Sequence, residues 1–427
     1  MAASPDVVRI GVQPWMRAPN TRQVLAALEG GGAAARFVGG CVRDAVLGRR
    51  VGDVDVATPL PPQEVMRRLE QAGIKAVPTG IDHGTITAVF DKAVDAPIYF
   101  EVTTLRLDME TDGRRARVAF TDDWAADAAR RDFTINALFC DASGKVYDYT
   151  GGLGDLRDRR VRFVGDPTER IREDVLRLLR FFRFYAHYGD PPPDGPALDA
   201  CAELAHLLPT LSGERVAGEL FKLLDAADPA TVLRLMAERG ILGHVLPEAR
   251  AIDRLAALVS VEGTAGADHE RRLAALLDVD ETAADRVALR LRLSNAQGAR
   301  LASLVAPTEL DPGLPVRRQR ELLYRMGRSA FQDRVLMAWA GAVAGEAPPG
   351  RRTTEAWREL LDLPERWTPP VFPIKGRDAL ALGIEPGPQV GKALDAVERW
   401  WIAGDFAAGR EACLDRLRAA LEEGEAS

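Results

Sequence analysis

The sequence predicts an α+β protein, a small mixed-sheet head followed by an extended all-α remainder, and three observations lead there. Up to Thr150, short apolar and β-branched runs bounded by glycine alternate with helical segments. From Asp155 onward the periodicity is that of amphipathic helices, as in "EDVLRLLRFFRFYAHYG", "GERVAGELFKLLDAA" and "ATVLRLMAERG". The chain has 427 residues, 47% of them hydrophobic and 28% charged, which is more than one ordinary core can hold and points to several domains.

The elements follow in order. "ARFVGGCV" reads as a strand running into a Gly-Gly turn, and "DVDVAT" as a second strand. Between that strand and the next, "PPQEVMRRLEQAG" reads as a helix with proline entry and glycine exit. "IYFEVTT" alternates apolar and polar residues as a half-buried strand does. The charged stretch "LRLDMETDGRRARVAFTDDW" has little periodicity and is expected to be a flexible loop. "GGLGDL" fails the GxGxxG spacing and opens no βαβ unit, so dinucleotide binding is rejected. "EDVLRLLRFFRF" is read as one helix, with Val175, Leu178, Leu179 and Phe182 as its core face and Asp174, Arg177, Arg180 and Arg183 winding round the other side. "YGDPPPDGPALDA" marks a turn between helices. Proline-rich joints at "LDPGLPVRR", "GEAPPGRR" and "RWTPPVFPIKG" punctuate the helical remainder.

Composition excludes several classes. No apolar run approaches the roughly 20 residues of a membrane helix, and the start lacks the basic and apolar regions of a secretory signal, so a cytoplasmic location and no membrane partner are expected. Cys41, Cys140, Cys201 and Cys413 are scattered, without a CxxC pair, and are expected to be reduced, buried thiols. A net charge of -7 confines any nucleic-acid surface to local patches. Two are visible: Arg157 to Arg183 holds nine arginines against five acids, and "RRQRELLYRMGR" has five against one.

The chemistry concentrates in "FVGGCVRDAVLGRRVGDVDVAT". On a strand, Asp53 and Asp55 share a face while Val54 turns to the core. Alone, such a pair also describes a solvated strand with alternating acids. A divalent cation, Mg²⁺, is the economical occupant of two adjacent carboxylates, with phosphate oxygens completing its shell. Gly39 and Gly40 let backbone N–H groups approach an anion at a helix start, and Arg43 lies where it would close on a triphosphate. Glu101, with Phe100 and Val102 turned away from it, supplies a third acid. Three carboxylates on neighbouring strands suit two-metal nucleotidyl transfer.

These residues resemble the polymerase-β nucleotidyltransferase superfamily, and the longer string GGCVRDAVLG…DVDVAT resembles, more narrowly, the class II tRNA nucleotidyltransferase and poly(A) polymerase family. "RRDFTINALFCD" resembles its second signature, which implies nucleotide binding by Arg131, with Asp132 orienting its neighbours. "EDVLR" resembles its ExDxxR-type motif. The physical reason for that pair is direct. Cytosine and adenine present an amino donor beside a ring-nitrogen acceptor, and an ionised Asp only accepts while an Arg only donates. Asp174 with Arg177 would therefore pair with C or A and oppose G or U, at roughly 1 to 3 kcal/mol per unpaired group.

The resemblance implies addition of C, C and A to tRNA 3′ ends from CTP and ATP, without a nucleic-acid template and with release of pyrophosphate. Poly(A) synthesis or partial CC- or A-addition is the alternative, and a non-catalytic RNA-binding protein is a third. It implies Asp53, Asp55 and Glu101 as catalytic acids, with Asp53 and Asp55 on metal. Gly39, Gly40, Arg43, Arg131, Asp174, Arg177, Arg180 and Arg183 would hold and select the nucleotide. It also implies a nucleotidyltransferase head over 1–154, a helical neck over 155–215, a body over 216–310 and a tail over 311–427 that holds the tRNA acceptor and elbow. "FPIKGRDALALGIEPGPQVGKALDAVERWW" resembles the C-terminal module of bacterial members, and "GPQVGKAL" is expected to open a helix. An appended HD-type phosphohydrolase is not expected, since there are five histidines and "DHE" is the nearest match.

Overall fold

Short alternating strands in the first half of the chain assemble into one eight-stranded mixed sheet, in the order β1-β10-β9-β2-β3-β6-β5-β4. The ranges are β1 Asp6–Arg9, β2 Arg36–Val38, β3 Val54–Thr58, β4 Lys75–Gly80, β5 Thr85–Val89, β6 Tyr99–Thr104, β9 Leu138–Cys140 and β10 Lys145–Asp148. A computed structural model of the chain describes residues 5–91, 98–112, 115–345 and 350–425. Two compact units result, Met1–Ala249 with Arg290–Leu293, and Arg250–Leu289 with Ser294–Ser427.

The register at the sheet centre positions the site. β3 and β6 run parallel, with Val54 opposite Phe100, Asp55 opposite Glu101 and Val56 opposite Val102. Val54, Val56, Phe100 and Val102 are buried, so the period-2 alternation sends Asp55 and Glu101 to the other face together. Asp53 lies just before β3 rather than on it, and is exposed. Farther along β3 on the Asp55 face, Ala57 enters a second core with Val38, Leu105, Ala128, Ala137 and Phe139.

The stretch after Glu101 is not the expected loop. β7 (Arg106–Asp112) and β8 (Arg115–Phe120) form a separate antiparallel hairpin. The density of charge along these strands hides them from a periodicity reading.

Five helices of this unit frame the site: α1 Gly40–Val46, α2 Trp124–Ala129, α3 Pro167–Glu173, α4 Leu176–Tyr188 and α5 Gly213–Leu224. The expected single helix through "EDVLRLLRFFRF" is two. Asp174 is extended, at φ −151° and ψ 105°, and its Oδ1 accepts the Leu176 N–H at 3.1 Å. A short acidic side chain competing for a backbone donor ends one helix and starts the next. Asp174 therefore does not share a helical face with Arg177; it stands at the break. The core face of α4 is Leu178, Leu179, Phe181, Phe182, Phe184 and Tyr185, with Val175 half-buried before it. "GGLGDL" serves packing: a Cβ at Gly152 would meet the Thr134 carbonyl oxygen at 2.1 Å.

The second unit carries no strand among its described residues. Its buried Arg272 pairs with Glu262 and its buried Arg271 with Asp333 at 2.8 Å, while the half-buried Arg300 reaches Asp333 at 2.8 Å and Asp268 at 2.9 Å. "GPQVGKAL" opens the helix Pro388–Ala403, whose Val397, Trp401 and Ile402 join Ile374, Ala379 and Leu417 in a local core. All four cysteines are free and buried.

Candidate active site

The site starts at the turn between β2 and α1. Gly39 has φ 74°, a left-handed value that glycine adopts without strain. A Cβ there would lie 3.8 Å from Arg131 Nη1 and 3.9 Å from Asp55 Oδ2, so this turn gathers the first and second signatures at one point. Asp55 and Glu101 face each other across the parallel strands. The Asp55 carboxyl is pushed up to about 6, by burial first and then by the charges of Glu101 and Asp53, with Arg131 opposing. A half-buried carboxylate with two acids beside it fits a divalent cation, which would offset both the burial and the like charge. Among the described residues no three carboxylate, thiol or imidazole groups make a closed metal set. Such an ion would take its remaining ligands from phosphate and water.

Around this point the arginines are held by acids. Arg131 gives Nε and Nη2 to Asp127 Oδ2 at 3.2 and 2.9 Å, and Arg130 Nε gives to Asp127 Oδ1 at 2.9 Å. Burial alone would raise the Asp127 carboxyl; Arg131 and Arg130 outweigh it and hold it below the ordinary value. Arg43 is buried, with Nη1 on Asn136 Oδ1 at 2.7 Å and Nε and Nη2 on Asp44 at 3.0 and 2.9 Å. Its guanidinium also lies 4.0 Å from the Tyr188 ring centroid. Asp132 accepts from Arg180 Nε at 2.8 Å, from the Phe133 N–H at 2.8 Å and from Asn136 Nδ2 at 3.3 Å.

At the other end stand Asp174 and the α4 arginines. Asp174 accepts Arg215 Nη2 at 2.9 Å on each oxygen. Arg177 Nη1 gives to Glu173 Oε2 at 2.5 Å and to the Arg170 carbonyl at 3.1 Å. Glu219 of α5 sits 2.8 Å from Arg183 Nε, as an ion pair without hydrogen-bond alignment, and 3.8 Å from Arg180 Nη1.

A cleft of about 570 Å³ joins the two ends, and seven arginines (43, 130, 131, 177, 180, 183 and 215) line it against Asp55, Asp132 and Asp174. That balance suits a polyanion such as a nucleoside triphosphate. Gly39, Gly40, Arg43, Asp55, Arg131, Asp174, Arg177, Arg180 and Arg183 all lie on this one cleft; Asp53 and Glu101 are exposed and off its lining. Asn136, Phe184 and Arg215 line it too and were missed by sequence reasoning. Asn136 follows Asp132 by four residues in "RRDFTINAL", a spacing that invites a local hydrogen bond. Arg215 and Glu219 stand at i, i+4 spacing in "GERVAGEL", a pattern equally common on solvated helices, although the structure pairs them with Asp174 and Arg183 instead.

Comparison with known proteins gives consistent matches. The family described as "Poly A polymerase head domain" matches residues 35–162, and "Probable RNA and SrmB- binding site of polymerase A" matches 196–252. The mitochondrial CCA tRNA nucleotidyltransferase 1 of Mus musculus is 34% identical over 398 residues, which cover 90% of this chain and 86% of that protein. The CCA-adding enzyme of Lactococcus lactis is 34% identical over 373 residues, 86% of this chain and 88% of its own. The crystal structure of the Bacillus stearothermophilus CCA-adding enzyme in complex with CTP aligns with a TM-score of 0.74 at 28% identity, covering 95% of this chain and 99% of that one.

Proposed function

We propose that this chain, which belongs to the CCA-adding tRNA nucleotidyltransferase family, adds C, C and A to the 3′ end of tRNA from CTP and ATP without a nucleic-acid template. The observation that carries the reading is that Asp55 and the Asp174–Arg177 pair open onto one arginine-rich cleft of about 570 Å³. Phosphate chemistry and base selection thereby share a single nucleotide. No helix is long and apolar enough to cross a membrane among the described residues, and a cytoplasmic location is proposed with the function.

In this reading 1–154 is the catalytic head, 155–215 the neck that selects the nucleotide, 216–310 the body and 311–427 the tail that holds tRNA. Asp53 and Asp55, supported by Glu101, would hold a divalent cation, for which we propose Mg²⁺. When bound, such an ion activates the attacking hydroxyl and offsets the charge of the departing pyrophosphate. Gly39 and Gly40 leave room for the triphosphate to approach the backbone. Arg131 keeps Nη1 directed at that turn while Asp127 holds the rest of its guanidinium. Asp174 accepts the exocyclic amino group of C or A, and Arg177 donates to the neighbouring ring nitrogen. Arg180 and Arg183, held by Asp132 and Glu219, keep the far wall positive.

The test supplies purified protein with tRNA ending at its discriminator nucleotide, Mg²⁺, and labelled CTP and ATP. Ordered incorporation of two C and one A is expected, and no incorporation would sink the enzyme reading. The match to a poly(A) polymerase head gives the second reading a specific basis. Long A tails would favour it, and CTP or ATP used alone would mark a partial enzyme.

A further inference from the structure

We infer that Arg215 is a positioning residue for base selection, holding the Asp174 carboxylate in the orientation that accepts an N–H from the incoming base. The inference rests on the reading of Asp174 and Arg177 as the base-selecting pair. Neither side chain holds the other; the bond between the two residues is backbone, the Arg177 N–H on the Asp174 carbonyl at 2.9 Å. Asp174 lies on extended backbone between two helices, so no helical packing fixes its carboxylate. Two donors do: the Leu176 N–H on Oδ1 at 3.1 Å, and Arg215 Nη2, shared between both oxygens at 2.9 Å.

A carboxylate has about four lone-pair directions. The Leu176 N–H takes one on Oδ1 and Arg215 Nη2 is shared between the two oxygens, so Oδ2 keeps accepting capacity for a nucleobase amino group. A carboxylate only accepts, so it cannot pair with the carbonyl that uracil or guanine presents in that place. Arg177 is held separately by Glu173, at 2.5 Å. The donor half and the acceptor half are thus fixed by different counter-ions, and Arg215 reaches in from α5, forty-one residues beyond Asp174.

Removal of Arg215 should free Asp174 to rotate and should relax the choice of base more than it slows transfer. Single-nucleotide incorporation onto tRNA ending at its discriminator is measured with CTP and with UTP for wild type, Arg215→Ala, Arg215→Lys, Asp174→Ala and the Arg215→Ala/Asp174→Ala double variant, with thermal melting as the folding control. Expected are a fall of at least tenfold in the CTP-to-UTP ratio of kcat/KM for Arg215→Ala, partial recovery in Arg215→Lys, and no further fall when Arg215→Ala is added to Asp174→Ala. An unchanged ratio in a folded Arg215→Ala, or equal losses with CTP and UTP additive to Asp174→Ala, overturns the positioning role. If Asp174→Ala itself leaves the ratio unchanged, the base-selecting assignment fails instead, and the positioning role fails with it.

Discussion

Asp55 concentrates the conflict that the proposed chemistry uses. It is the cleft carboxylate that burial, first, and then the charges of Glu101 and Asp53 push toward the neutral form, against Arg131. Asp55→Asn keeps the shape and removes the charge that would hold a cation, so nucleotide transfer should fall by about 10³-fold or more. Binding of tRNA, measured by filter retention, should stay within about twofold, because the tail proposed to hold tRNA is untouched. Arg177 supplies the opposite prediction. With its donor gone, the site keeps an acceptor and loses part of its polarity, so Arg177→Ala should lower discrimination against UTP by about tenfold, read as the ratio of kcat/KM values.

At the scale of elements, two glycines separate close approach from mere flexibility. Gly152 opens the helix Gly152–Arg157 against the Thr134 carbonyl, and the methyl of Gly152→Ala would sit 2.1 Å from that oxygen. Backbone must move, and a loss of about 2 kcal/mol in urea unfolding is expected. Gly218 lies inside α5 with nothing within 4 Å of a Cβ. Gly218→Ala should stabilise by about 0.5 to 1 kcal/mol, since it restricts the unfolded chain and clashes with nothing. The α3–α4 break follows the same logic of local competition: Asp174 gives its oxygen to the Leu176 N–H, and a carboxylate gains a position that no helix surface offers.

Over the whole molecule, the arginines that shape the cleft depend on ionised partners. Burial works against Asp127 and Asp132, yet Arg131 and Arg130 for the first and Arg180 for the second hold both carboxyls below their ordinary value. A carboxyl depressed in the folded state contributes its full stability above the unfolded pKa, roughly 4, and loses it as pH falls through the lower folded value. Urea midpoints should therefore be flat from pH 7 to about 5 for these groups and fall below about 4. Asp127→Asn should flatten part of that acid slope while costing about 3 kcal/mol at neutral pH, because two guanidinium groups lose a buried partner.

The head strands, the amphipathic helices and the three signatures were legible because each is written in local spacing: alternation for β3 and β6, Gly-Gly for the turn into α1, paired charges in "EDVLR". The 106–120 hairpin was obscured by charge, and the break at Asp174 by an apolar period that continues through it. By itself the sequence determined which residue types carry the chemistry and that they sit on a mixed sheet followed by helices. Only the tertiary structure decided that Asp55 opposes Glu101, that Arg131 meets Gly39, and that Arg215 rather than Arg177 holds Asp174. Those pairings join residues up to ninety-odd positions apart, as in Arg43 with Asn136, and they depend on strand register and helix packing, which local spacing leaves undetermined.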